Sequence, residues 1–251
     1  MEFISQSKMA YDSSNFEETE ETEETEETED PSLRSTLTPI GEIKFDEYVG
    51  PLPESNKVFD GLYAGAFPGD SNDTANNHNL ITLLNKGVTT FVCMQKEYNA
   101  ELPRFVWSYT GRRPYFKDVQ YILENKEKYS ALNTELNIND VKFLHFPIED
   151  LKTVSDEKTL EAAQTVAQCL KNGEKVYLHC WGGHGRTGII VCLVLHLMFQ
   201  LNAVDALKYC EHVHKQRLVR LDVTSPQTTE QKEQVTRIIT LLENEGSIPS
   251  K

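Results

Sequence analysis

Ten consecutive residues, His179 to Gly188, combine a cysteine, several glycines and an arginine in an order that suits phosphate chemistry. The strand-like segment 175–179 leads into them, and the strongly apolar helical segment 189–199 follows. A helix that begins here leaves about four backbone N–H groups without partners and carries roughly half a positive charge at its start. The pattern therefore predicts an anion-binding loop at a helix N-terminus, with the Cys180 sulfur as a nucleophile beside the anion.

Each residue type in this loop has a chemical use. Arg186 offers a planar fork of donors that matches two phosphate oxygens. The positive field favours the thiolate form of Cys180 over the thiol. We expect the Thr187 hydroxyl to hydrogen-bond the sulfur and to stabilise it as a leaving group. The loop glycines permit torsions that let successive N–H groups point inward; they are Gly182, Gly183 and Gly185.

The spacing His-Cys-x5-Arg-Thr resembles the active-site loop of the cysteine-dependent protein tyrosine and dual-specificity phosphatases. The resemblance implies that Cys180 is the nucleophile and that His179 orders the loop and assists thiolate formation. It also implies that Trp181 and His184 occupy variable loop positions, with side chains at the rim of the substrate pocket. The loop from Trp181 to Arg186 would bind the phosphate. A buried structural cysteine beside a glycine turn remains an alternative.

Hydrolysis of a phosphomonoester also needs a proton on the leaving oxygen, supplied by a side chain on a mobile loop. Segment 146–150, Phe-Pro-Ile-Glu-Asp, resembles the family's acid loop, which implies that Asp150 is the general acid. Glu149 and Asp156 are the rivals, and Asp150 could instead make only local hydrogen bonds at a strand end. The segment lacks the Trp-Pro-Asp triplet of the large tyrosine phosphatases, which favours the smaller dual-specificity branch.

Two glutamines, Gln227 and Gln231, lie near the start of the last predicted helix. They resemble the glutamine loop of tyrosine phosphatases, in which an amide orients a water towards the phosphocysteine. This resemblance implies that Gln227 sets the water, with Gln231 the slightly weaker choice. A polar first helical turn without a catalytic role is the alternative.

Alternating strands and helices predict the fold class α/β: one domain with a mostly parallel central sheet of about five strands flanked by helices. Besides the strand before Cys180, we predict strands over 61–65, 88–93 and 141–146. Segment 98–140 is interpreted as an insertion with one helix over 117–129. The other predicted helices span 79–86, 157–170, 203–214 with Asn202 as its cap, and a last helix with Pro226 at its first position.

The charge of the chain is concentrated at its start. The net charge is −14 over 251 residues, but residues 1–30 hold twelve acids and one lysine, which leaves −3 for the remainder. We predict a disordered acidic tail over 1–42, a catalytic domain over 43–246 and a short flexible C-terminus over 247–251. The tail is either a solvated extension or a segment that recruits an unknown partner or inhibits the site. A nearly neutral body indicates no nucleic-acid partner.

The five cysteines are odd in number and lack paired spacing, which favours a reducing compartment: the cytoplasm, or alternatively the nucleus. The sequence shows no signal-peptide pattern, and its longest apolar run, 188–199, is too short for a membrane span. No cofactor and no metal are expected. Cys93 should end a strand beside the key strand. Some relatives protect the nucleophile through a disulfide to a cysteine placed in this way, which suggests a reversible Cys93–Cys180 bridge; a small buried apolar residue is the alternative.

Together these features predict a protein phosphatase that acts through a phosphocysteine on phosphotyrosine, and on phosphoserine and phosphothreonine if the pocket admits them. Trp181 and His184 make the rim less cationic than the lysines expected of a phosphoinositide or inositol phosphate phosphatase, which is the first alternative. A non-catalytic phospho-binding module and a redox protein that uses Cys180 are the others. The side chains of Arg112, Arg113, Arg217 and Arg220 are interpreted as solvated surface charge, and reach to the rim is the alternative.

Overall fold

A computed structural model describes residues 37–42 and 44–245 of the chain. Most of the predicted acidic tail and the predicted C-terminal segment lie outside these residues. Leu37 and Ile40 pack against the core, so the described fold extends back past the predicted domain boundary at residue 43.

A five-stranded sheet organises the domain, in the order β1-β2-β5-β3-β4. Only the edge pair β1–β2 is antiparallel, and the other neighbours run parallel, which confirms the predicted fold class. The strands are β1 Ser55–Phe59, β2 Leu62–Gly65, β3 Thr90–Gln95, β4 Lys142–Ile148 and β5 Val176–His179.

The strand register aligns the carboxyl ends of β2, β5 and β3 at the centre of the sheet. His179, the last residue of β5, pairs with Gly65 on one side and with Cys93 on the other. Segments that follow the carboxyl ends of these parallel strands therefore converge, which is where α/β sheets form ligand sites. The loop that begins with Cys180 emerges at this point.

Helices cover both faces of the sheet. They are α1 Phe45–Tyr48, α2 Asp73–Asn85, α3 Arg104–Thr110, α4 Tyr115–Glu124, α5 Asp156–Lys171, α6 Gly185–Phe199, α7 Ala203–His214 and α8 Thr229–Glu245. Side chains of α5 to α8 share one core cluster with Val92 and Leu178 of the sheet. Those of α2 and α4 share the other with Phe91 and Tyr177, because successive strand residues point to opposite faces.

Helix α6 is apolar around most of its circumference and is buried between α5, α7 and α8. Its burial fixes its N-terminus at the centre of the sheet edge, directly after the loop. Among the described residues, no helix is long and apolar enough to cross a membrane.

Several predicted boundaries differ from the structure. Helix α2 begins at Asp73 because the Asn72 side chain accepts from two backbone N–H groups of its first turn, whereas the apolar pattern alone suggested a start at residue 79. Segment 98–140 holds two α-helices, α3 and α4, and α4 ends earlier than predicted. The edge strand β1 was not predicted.

The prediction for the start of the last helix is wrong. Pro226 lies in a turn with a cis Ser225–Pro226 bond, and α8 begins three residues later, at Thr229. By contrast, the predicted cap of α7 is confirmed, since the Asn202 side chain accepts from the N–H of Asp205.

Candidate active site

The phosphate loop runs from Cys180 to His184, between the end of β5 and the start of α6. Cys180 is buried, with 3% of its surface exposed. Gly183 adopts a left-handed φ of 71°, and a Cβ atom there would collide with the backbone of Gly65. A glycine is therefore required at this position for the loop to lie against β2.

Hydrogen bonds to neighbouring elements hold the loop's carbonyl oxygens. Arg217, which is 2% exposed, donates to the carbonyl oxygens of Gly182 at 3.1 Å and Gly183 at 2.8 Å. The Ser225 hydroxyl donates to the carbonyl oxygen of His184 at 2.9 Å. Carbonyls tied to these donors leave the loop free to turn its N–H groups towards an anion. The interpretation of Arg217 as solvated surface charge is therefore wrong, because its guanidinium is a buried support of the loop.

His179 is buried and contacts Cys180 through a hydrogen bond. Burial lowers its pKa to about 3, so its imidazole is neutral at pH 7. Its Nδ1 lies 3.1 Å from the carbonyl oxygen of Cys180, an acceptor, so Nδ1 carries the proton. Its Nε2 then accepts from the hydroxyl of Tyr115 at 2.7 Å. Burial raises the pKa of Tyr115 well above its ordinary value, so this phenol remains a donor.

Arg186 is 1% exposed and is surrounded by acceptors. Its guanidinium lies 2.9 Å from the carboxylate of Glu97, 2.9 Å from that of Asp150 and 3.0 Å from the carbonyl oxygen of Ile148. Burial opposes ionisation of Glu97, but the hydrogen bonds and charge of Arg186 outweigh it and lower the pKa of that carboxyl. A buried guanidinium is thus neutralised before any substrate arrives.

The geometry separates the three candidates for the general acid. Asp150 contacts Arg186 directly, at 2.9 Å. Glu149 turns to the exposed Lys96 at 3.0 Å. Asp156 forms two hydrogen bonds to Arg237, at 2.6 and 2.8 Å, which lower its pKa and keep it ionised. Asp150 is therefore the carboxyl best placed to protonate a leaving oxygen.

The structure distinguishes the two glutamines. The Gln227 side chain is exposed. Gln231 is fully buried; its Oε1 accepts from the N–H groups of Gln227 and Thr228, and its amide lies against Gly185, where a Cβ atom would come within 2.6 Å. The amide adjacent to the loop is thus that of Gln231, because the helix begins later than predicted.

Two other predicted contacts are not formed. The Thr187 hydroxyl is buried and has no hydrogen-bond partner among the described residues, so it does not bond the Cys180 sulfur. His184 does not face the rim: its Nδ1 lies 2.8 Å from Nε2 of His214 on α7. Burial lowers the pKa of His184 to about 4 and that of His214 to about 2.

The loop opens into a cleft of about 680 Å³. Its lining consists of Lys96, Glu97, Arg112, Glu149, Asp150 and Trp181. Trp181 is 46% exposed and stacks on Phe67, with ring centroids 5.6 Å apart. Arg113, by contrast, is buried against Asp73 and Asp118, so its interpretation as surface charge is wrong. No group of three or more metal-ligating side chains occurs among the described residues.

The sequence around this loop is similar to known phosphatases. A family model described as "Polymorphic toxin system, DSP-PTPase phosphatase" matches residues 115–199, which include Tyr115, Asp150, Cys180 and Arg186. A protein of Invertebrate iridescent virus 3, 067L, named as a candidate tyrosine phosphatase, is 32% identical over 100 residues. Residues 115–199 are thus similar to the dual-specificity branch of the cysteine-dependent protein tyrosine phosphatases.

The phosphatase relatives align over part of their length. The match to 067L covers 38% of this chain and 40% of the viral protein. Mouse cyclin-dependent kinase inhibitor 3 is 37% identical over 67 residues, which are 26% of this chain and 32% of that protein.

Solved structures share the fold of this domain. Kinase associated phosphatase, with its catalytic-site cysteine substituted, superposes with a TM-score of 0.51 at 18% identity over 72% of this chain and 87% of that one. A mutant form of Tk-PTP gives a TM-score of 0.50 at 19% identity, over 76% and 98% of the two chains.

Sequence reasoning missed Glu97 and Tyr115 as site residues and misinterpreted Arg217 as surface charge. Each is distant in sequence from the loop, in a stretch without a recognisable motif. The sheet order brings Glu97 and Tyr115 to the site, because β3 lies beside β5, whereas Arg217 follows α7, which packs on α6.

Proposed function

We propose that this domain hydrolyses phosphomonoesters on protein side chains in two steps. Cys180 attacks phosphorus and forms a phosphocysteine, while Asp150 protonates the departing oxygen. Asp150, now a base, then takes a proton from a water held near the Gln231 amide, the water attacks the phosphocysteine, and phosphate and the free thiolate result. The loop N–H groups and Arg186 bind the equatorial oxygens, which carry the charge in a loose transition state.

One observation carries this proposal: the guanidinium of Arg186 and the carboxylate of Asp150 meet, 2.9 Å apart, beside a loop that contains Cys180. Arg186 opens the helix that follows the Cys180 loop, and Asp150 both contacts Arg186 and lines the adjoining cleft. A phospho-binding module needs no acid, and a redox protein needs no arginine beside its cysteine.

The charge of the cleft favours a phosphoprotein over a lipid headgroup with several phosphates. Three carboxylates line it, those of Glu97, Glu149 and Asp150, against the cations of Lys96 and Arg112. Additional phosphates around the reacting one would meet these carboxylates. A single phosphoresidue in a polypeptide presents one dianion, which Arg186 and the loop can accept.

The test uses two variants and a substrate panel. Cys180→Ser should abolish turnover of p-nitrophenyl phosphate yet retain binding of a phosphotyrosine peptide. Asp150→Ala should lower kcat by about 10²–10⁴ for phosphopeptides, with a smaller loss for p-nitrophenyl phosphate, whose leaving group needs less help. Glu149→Gln is the matched control and should stay within about threefold of wild type, since its partner is an exposed lysine.

Two outcomes would contradict the proposal. If Asp150→Ala keeps wild-type kcat on phosphopeptides, Asp150 is not the acid. If wild-type protein releases phosphate from soluble phosphoinositides at least ten times faster than from phosphotyrosine, phosphoserine and phosphothreonine peptides, the lipid-directed alternative is correct.

We also propose a cytoplasmic location, with the nucleus as the alternative. The five free cysteines support it, because free thiols persist in a reducing compartment. Fractionation of cells that express the full-length protein tests this expectation, and recovery in the secreted fraction would contradict it.

A further inference from the structure

Helix α3 presents two aromatic side chains to solvent. Phe105 is 78% exposed and Tyr109 is 92% exposed. They are four residues apart and therefore lie on one side of the helix. We call these two side chains the α3 aromatic face. Adjacent large apolar groups left in water are typical of a surface that binds a partner.

The opposite side of α3 is anchored to the domain. Trp107 is buried, and the guanidinium of Arg113 lies 4.6 Å from the centre of its ring. Arg113 in turn pairs with Asp73 at 2.6 Å and with Asp118 at 2.7 Å. The α3 aromatic face is thus displayed on a fixed helix, so little conformational entropy is lost when it binds a partner.

The C-terminal end of the helix that carries the α3 aromatic face adjoins the catalytic cleft. Gly111 caps the C-terminus of α3, and a Cβ atom there would lie 3.4 Å from the Trp181 ring. The next residue, Arg112, lines the cleft. Lys96, the other cation of the cleft, is paired with Glu149. Arg112 forms no ion pair with any of the described residues. Its positive charge is therefore available to a ligand, between the phosphate loop and the aromatic side chains.

The spacing suits an extended polypeptide. Phe105 and Tyr109 are about 6 Å apart along the helix axis. Tyr109 precedes Arg112 by three residues, which span at most about 11 Å. An extended peptide advances about 3.3 Å per residue, so side chains roughly three to six residues from a phosphoresidue in the cleft can reach the α3 aromatic face.

We propose that the α3 aromatic face and Arg112 bind the polypeptide that flanks the phosphorylated residue of a protein substrate. The preferred partner carries an acidic residue near the phosphoresidue, facing Arg112, and a large apolar residue about three to six positions away, against Phe105 and Tyr109. This inference rests on the proposed function and specifies its substrate class. A membrane surface is the less favourable occupant, because the carboxylates that line the cleft would face anionic headgroups.

The experiment compares two phosphotyrosine peptides that differ only at the fourth residue on each side of the phosphotyrosine, Leu in one and Ser in the other. Steady-state kcat/KM is measured for wild type, for the double variant Phe105→Ala/Tyr109→Ala and for Leu241→Ala. Leu241 is a matched control, since it is 51% exposed on α8 and does not line the cleft. Thermal unfolding confirms that all three proteins are folded.

Wild type and Leu241→Ala should cleave the Leu peptide about tenfold faster than the Ser peptide. The double variant should lose that preference, to within about twofold, with p-nitrophenyl phosphate hydrolysis unchanged. Arg112→Ala should lower kcat/KM about fivefold for a peptide with an acidic residue next to the phosphotyrosine, but not for one with Ser there. A Leu/Ser ratio near one in wild type, or a full ratio in the double variant, would overturn the proposal.

Failure of the proposed function gives a different result. If wild type hydrolyses none of the substrates, binding of the two peptides to the Cys180→Ser protein is measured by fluorescence anisotropy. A Leu preference that depends on Phe105 and Tyr109 would still support the docking surface, and its absence would overturn it. Loss of binding to phosphoinositide-containing vesicles in the double variant, with peptide binding intact, would identify a membrane-binding face instead.

Discussion

Replacement of Arg217 gives the sharpest test of how the phosphate loop is held. Its guanidinium is buried and donates to the carbonyl oxygens of Gly182 and Gly183 and to the Asn56 side chain, at 3.1, 2.8 and 3.0 Å. Arg217→Met keeps most of the volume and removes all the donors. Arg217→Lys keeps the charge but cannot reach three oxygens with the same planar geometry.

The expected loss of stability follows from the groups left unpaired. A buried acceptor without a hydrogen-bond partner costs about 1–3 kcal/mol of stability, and Arg217→Met leaves three acceptor oxygens without their donor. Since desolvation of the guanidinium is avoided in the variant, we expect a net loss of about 3–4 kcal/mol in the free energy of unfolding, and about 2 kcal/mol for Arg217→Lys. Arg237→Met is the control. Arg237→Met removes two hydrogen bonds to Asp156, but the Arg237 side chain is exposed to solvent. We therefore expect it to lower the free energy of unfolding by less than about 1 kcal/mol.

The effect on activity should exceed what unfolding explains. Without Arg217 the carbonyls of Gly182 and Gly183 are free to rotate, and the N–H groups of the loop lose their common direction. Removal of one preorganised donor to a transition-state oxyanion costs about 10²–10³ in kcat, so we expect a fall of about 10² in kcat/KM for p-nitrophenyl phosphate. Urea unfolding followed by circular dichroism and steady-state kinetics on the folded fraction measure both quantities. The reasoning is refuted if Arg217→Met costs no more stability than Arg237→Met, or if its folded fraction retains wild-type kcat/KM.

Three further predictions concern buried groups. The folded-state pKa values of His179, His184 and His214 lie below the ordinary value of 6.5, so the unfolded chain binds more protons below pH 6.5. Stability is full above that pH and should fall, for each of these histidines, by roughly 1 kcal/mol per pH unit from pH 6.5 to 5 in urea titrations. The slope should be shallower in His214→Gln, and an equal slope would count against the reasoning. Tyr115→Phe removes the hydroxyl that hydrogen-bonds His179, the residue before Cys180. In p-nitrophenyl phosphate assays kcat should fall about tenfold while KM stays within twofold of wild type. An unchanged kcat would contradict this role of Tyr115. Mild peroxide should produce a Cys93–Cys180 disulfide that non-reducing peptide mapping detects. The disulfide should form slowly, because burial raises the pKa of Cys93 to about 12. Recovery of Cys180 only as sulfenic or sulfinic acid would exclude the bridge.

The parts of the site that are contiguous in sequence were predictable. Strand, loop and helix around Cys180 follow one another in the chain, and the chemistry of each position restricts its residue type. The mostly parallel sheet was predictable as well, because buried parallel strands appear as short apolar runs between helices. The position of Cys93 beside β5 follows from that arrangement.

Contacts between distant segments were not predictable. Arg217 looks like surface charge in sequence, since nothing in its neighbourhood shows that Asn56 and two loop carbonyls surround it. The start of α8 was misplaced because a Ser-Pro pair suits both a helix start and a turn. That shift of three residues decides which glutamine adjoins the loop.

The charge around Arg186 shows why Glu97 and Asp150 cannot be equivalent. A buried guanidinium without a counter-charge would carry a large desolvation cost, so one carboxylate must remain when the phosphate binds. Glu97 makes contacts from both of its oxygens and is one-fifth exposed, whereas Asp150 makes its ion pair through one oxygen and is two-thirds exposed. We therefore expect an arriving dianion to displace Asp150 from Arg186 and to leave Glu97 in place. We expect this displacement to leave the Asp150 carboxyl beside the bound phosphate, within reach of the leaving oxygen.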